Sequence, residues 1–189
     1  MMIKKFYGAS LAWLLVYMLF CPAPQALAQG GKASRDHLTP EEVELVRAAQ
    51  VLDVRTAVFI KAAERRLMAL TDTDAASSRQ VEKDMKKWGE LPTGTRTQLL
   101  TDLAKILGEA TTNIDDVAAR DLKNELLPKA LDKLASASTR FLSQLKPMRT
   151  QAQGAEREAL EQAIENAQTI VEAADRLLPE AKGKEKSKN

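Results

Sequence analysis

The sequence predicts an all-α fold: an antiparallel up-and-down bundle of four long helices plus one short helix, following a cleaved signal peptide. Three observations carry this. Apolar residues recur alternately three and four apart over long segments, no segment alternates with period two for long enough to form a strand, and the connections are short. The 3-4 alternation averages 3.5 residues, which predicts helices packed at shallow angles with a left-handed supercoil.

The chain opens with Lys4 and Lys5, then an uncharged apolar run from Phe6 to Phe20, then Pro22, Pro24 and Ala26-Leu27-Ala28. A positive start, a short apolar run and an A-x-A site make the pattern of a secretory signal peptide, residues 1–28. The run is shorter than the ~20 residues a membrane-spanning helix needs. Cleavage is expected between Ala28 and Gln29. Cys21, the sole cysteine, raises lipidation as the alternative. Lipoprotein signals place a small residue before the cysteine, whereas here Phe20 stands there, so Cys21 is expected to leave with the signal.

Processing changes the composition. Lys4 and Lys5 depart, taking 28 Lys+Arg to 26 against 26 Asp+Glu, and only Phe59, Trp88 and Phe141 remain as aromatics. A balanced charge lacks the basic face that nucleic acid requires, and without cysteine no disulfide forms. Exported, secreted or periplasmic, with no stable membrane anchor after cleavage, is the expected localisation.

Residues 29–38 read as a flexible spacer, and 39–180 as the bundle. Thr39 with Glu42 forms a T-x-x-E capping box, Pro40 fits the first helical position, and Leu38 and Val43 occupy the two staple positions. The stripe Leu45, Ala49, Leu52, Phe59, Ala63, Leu67, Leu70 predicts one long helix to about residue 70, with Thr56 as a polar interruption. A short helix follows from about Ala75 to Trp88 and stops at Gly89. Gly89, Pro92 and Gly94 mark a loop, and Thr95 with Gln98 forms a second capping box.

Three more helices carry the seams Leu100, Leu103, Leu107, Ala110, Ile114, Val117; then Leu127, Leu131, Leu134, Ser138, Phe141, Leu145, Met148; then Leu160, Ile164, Ala167, Val171, Ala174, Leu178, with Pro179 ending the last. Residues 181–189, holding four lysines, read as a disordered, solvated tail.

Candidate chemistries fail one at a time. The only histidine, His37, lies in the spacer, so di-iron, haem and Ser-His-Asp arrangements lack a ligand or base. The string Asp72–Lys83 has Ala76, Ser77 and Lys83 where a calcium loop needs an oxygen ligand, glycine and glutamate. Ser143-Gln144-Leu145-Lys146 matches S-x-x-K, but its companion elements S-D-N and K-T-G are missing. Asp115 and Asp116 are consecutive helical positions whose side chains do not face each other. No catalytic, metal or cofactor residue is therefore expected, and the reading is a non-enzymatic protein acting by contacts with another protein or an envelope component.

Trp88, Leu91 and Pro92 form the candidate interaction surface, because tryptophan is enriched at binding sites; the packing alternative is that Trp88 closes the base of the core. A carrier holding a small apolar ligand near Ala110, Ala137, Ala167 and Trp88 is the competing function.

Overall fold

The helix that the apolar stripe from Leu45 predicts is interrupted at residue 49. In the computed structural model, which describes residues 36–71 and 79–178, the expected long helix is two: α1, Pro40–Ala48, and α2, Leu52–Thr71. A continuous helix would hold residues 42 and 65 about 35 Å apart at ~1.5 Å rise per residue. Instead Glu42 Oε1 lies 3.1 Å from Arg65 Nε and 2.5 Å from Arg66 NH1. The chain doubles back to make that contact, so the periodic stripe runs straight through a turn. Arg55 Nε donates to the freed carbonyl of Ala49 at 2.7 Å, and Thr56, expected as an interruption, is buried in α2 with its hydroxyl donating to Leu52.

The remaining helices are α3, Arg79–Trp88; α4, Arg96–Arg120; α5, Leu126–Met148; and α6, Gly154–Leu177. Both capping boxes form. Thr39 Oγ1 accepts the Glu42 N–H at 3.3 Å while Glu42 Oε2 accepts the Thr39 N–H at 3.0 Å, and Thr95 and Gln98 repeat the exchange at 3.2 and 2.8 Å. Gly89 stops α3 with φ +67°, a conformation glycine adopts without steric cost.

The four long helices form two antiparallel pairs laid side by side. Arg96, at the start of α4, reaches the carbonyl of Leu70 at the end of α2; Arg149, at the end of α5, grips Glu161 on α6 at 3.0 and 2.6 Å. Between the pairs, neighbours run parallel. Arg96 meets Glu156 and Asn166 donates to the Ala104 carbonyl, aligning α4 with α6; Asp53 meets Lys133 and Glu64 meets Arg140, aligning α2 with α5. The sequence predicted that short connections join antiparallel neighbours throughout. The α4–α5 connection departs from this, since each of those helices packs mainly on α2 and α6 and hardly on the other. Five residues, 121–125, therefore cross the diagonal of the bundle.

The seams hold the core. Leu100, Leu103, Leu107, Ala110, Leu134, Phe141, Leu145, Leu160, Ile164 and Ala167 are all essentially inaccessible. Alanine at facing positions lets the backbones approach, which is where dense packing and apolar burial contribute most. Among the described residues no helix is long and apolar enough to cross a membrane. The expected signal peptide, Cys21, the cleavage residues Ala26, Ala28 and Gln29, the string from Asp72 to Ser78 and the tail 181–189 lie outside the described residues.

Candidate functional site

Two places in the fold concentrate unusual chemistry. The first is the clasp that holds α1 and α3 to α2. Glu42 is 0% exposed, and Arg65 and Arg66 are 2% and 1% exposed. Arg65 also donates to the carbonyls of Gly89 and Glu90, and its guanidinium stands 6.0 Å from the centre of the Trp88 ring. Arg66 donates to the carbonyls of Ala62 and His37. Burial lowers the Arg65 pKa from its ordinary value, and the Glu42 carboxylate opposes that shift. The arrangement fixes two helices to α2.

This clasp locates the residues that the sequence singled out. Trp88 is buried under Arg65, Pro92 is buried and Leu91 half-buried, so the ring packs against α2. His37, expected in a free spacer, is tied down. Its carbonyl holds Arg66 and its Nε2 lies 2.9 Å from Glu109 Oε1 on α4.

The second place is the end of the bundle where α2 and α5 begin and α4 and α6 finish. The diagonal connection passes over it and leaves the corner between α4, α5 and α6 unsealed. A cleft of about 390 Å³ results. Its floor is Ile114, Leu134 and Ile170, and its walls include Ala118, Leu127, Leu131, Ala173 and Leu178. Asp115, Lys123 and Glu125 stand at its rim with Leu122 and Leu177.

The crossing loop is held by its own polar side chains. Asp121 Oδ1 accepts the Lys123 N–H at 3.2 Å, and Asn124 Oδ1 accepts the Leu126 N–H at 3.0 Å. Such side-chain turns replace the backbone bonds that the helices have given up. They also fix Leu122, 82% exposed, beside the cleft. Among the described residues, the exposed large apolar side chains are Val51, Val54, Met85, Leu122 and Leu177, and all but Met85 lie at this end.

Beneath the same end, Asp53 in the first turn of α2 accepts from Lys133 and Lys129, each at 2.9 Å. Their ammonium groups hold its carboxyl at about 2, below the ordinary 3.8. A carboxylate with a lowered folded-state pKa stabilises the fold above its unfolded value, and that stabilisation is lost as pH falls from about 4 towards 2. The thermal-midpoint difference between the native chain and Asp53→Asn should therefore be largest above pH ~4 and close as pH approaches ~2. A difference independent of pH would contradict the pairing.

None of Ala110, Ala137, Ala167 and Trp88 lines the cleft; the three alanines are shut inside the core. The cleft residues themselves escaped the sequence reading because Leu127, Leu131 and Leu134 look like any seam. The one signal was Asp121-Leu122-Lys123-Asn124, two turn-forming residues around a leucine between two helical stripes. Among the described residues, no three His, Cys, Asp or Glu side chains gather as a metal-binding group. A scan against protein-family models, a search of curated proteins and a search of solved structures each found no match.

Proposed function

We propose that this is an exported, non-enzymatic binding protein that docks a partner protein at the bundle end formed by the α4–α5 crossing. One observation carries the reading: an apolar cleft of about 390 Å³ with Leu122 and Leu177, 82% and 66% exposed, standing beside it. Leaving such side chains in water forfeits about 1.5–3 kcal/mol each relative to burial, and exposed apolar surface gathered in one place marks an interaction site. The cleft supplies a socket for an apolar anchor, and the charged rim of Asp115, Lys123 and Glu125 resembles the polar border of protein interfaces. Export rests on the amino-terminal pattern of residues 1–28.

The cleft volume falls within the range of small-ligand sites, ~300–1,000 Å³, which favours the carrier as the second reading. The two leucines decide between them. A small molecule seated on Ile114, Leu134 and Ile170 would leave Leu122 protruding, whereas a protein surface covers both.

Cysteine protection tests the reading. In a Cys21→Ala background, Leu122→Cys and Glu158→Cys place single thiols at the cleft rim and at the exposed start of α6. Purified and dilute, both should react rapidly with a water-soluble maleimide. In intact producing cells the thiol at 122 should react at least ~10-fold more slowly, as burial at an interface requires, with 158 unchanged. Equal rates at 122 in both settings would overturn the proposal.

A further inference from the structure

We infer that the partner at this end is a second copy of the same chain, the two related by a two-fold axis, with Leu122 of each seated in the cleft of the other. The inference rests on the functional reading above and names its partner. The end carries both halves of a contact. Leu122 is a protruding apolar knob, and the cleft beside it, floored by Ile114, Leu134 and Ile170, is an apolar socket. A surface that holds knob and socket side by side satisfies both at once when it meets its own image, which is the condition for an isologous pair.

The charges agree with that arrangement. The socket rim bears two carboxylates, Asp115 and Glu125, and the residue next to the knob is Lys123. When Leu122 enters the opposite cleft, chain adjacency carries Lys123 to the acidic rim, and the two-fold axis repeats the pairing. A rim of one sign would repel its own copy; this one has both signs. The region from Gln29 onward balances 26 basic against 26 acidic residues, so no net repulsion keeps two copies apart.

Area sets the strength. Four helices, each ~10–12 Å across, present an end of roughly 500 Å². Two such ends bury roughly 1,000 Å² together, below the usual size of a stable interface, so the pair should dissociate in the micromolar range.

Sedimentation equilibrium of the purified protein tests this. The average mass should rise from one chain to two across the micromolar range. Leu122 is exposed, so Leu122→Asp should leave the helical spectrum intact while weakening association about 100-fold, as loss of a central anchor does. Lys123→Glu should weaken it as well, and the charge-reversed chain carrying Lys123→Glu with Glu125→Lys should regain it. A single-chain mass up to ~1 mM, where specific contacts have become measurable, would overturn the inference. So would a Lys123→Glu loss that the reversed chain fails to regain. If the purified protein stays single while the thiol at 122 is protected in cells, the partner is a different protein, and only this inference falls.

Discussion

Replacing Glu42 by glutamine should cost about 3–5 kcal/mol of folding stability, measured by urea unfolding. That is the range for breaking a buried ion pair from one side. The carboxylate is fully buried and accepts from Arg65, Arg66 and the Thr39 backbone N–H. The amide keeps the shape and removes the charge, so two guanidiniums, each no more than 2% exposed, lose their shared counter-ion. The carbonyls of Ala62, His37, Gly89 and Glu90 hold the geometry but do not neutralise charge, and the Asp84 carboxylate offsets the charge of Arg65 only in part. The damage should centre on α1 and α3, with faster hydrogen exchange there than in α4–α6. A loss below ~1 kcal/mol, the worth of an exposed pair, would show that water reaches the clasp.

Leu134→Asp should be at least as severe, at about 4 kcal/mol or more. Leu134 is 1% exposed, at the floor of the cleft and in the middle of the α5 seam. An aspartate there removes a large apolar side chain and buries a carboxylate among Ile114, Ile170 and Leu131. The cleft gives it no counter-charge at that depth, since Lys123 stands at the rim. An unchanged thermal midpoint would mean that the α5 seam faces elsewhere.

Much of this fold was legible. Helix positions followed from the 3-4 spacing, and each capping box formed with the residues its pattern named, because those bonds are local and reach only three residues along the chain. What stayed hidden was long-range. Glu42 was readable as a cap, yet nothing near it in sequence points to Arg65 and Arg66, which meet it only after the chain turns at residue 49. The break itself is masked because Ala49 and Leu52 continue the apolar stripe on both sides. The cleft is a product of topology. Periodicity shows which face of α4, α5 or α6 turns inward, but whether α5 follows α4 beside it or across the diagonal depends on packing of whole helices. Trp88 illustrates the same limit from the other side: it is buried with its ring 6.0 Å from the Arg65 guanidinium, twenty-three positions away in the chain.

The end under the α4–α5 crossing should meet a protein. A photo-activated benzophenone amino acid in place of Leu122, irradiated in the cells that produce the chain, tests it directly. Position 122 should yield a discrete protein adduct, with the doubled mass of the chain if the partner is its own copy, and the same group in place of Glu158 should yield none. Absence of any protein adduct at 122 while a small apolar molecule is trapped there would contradict it and assign the cleft to a carrier.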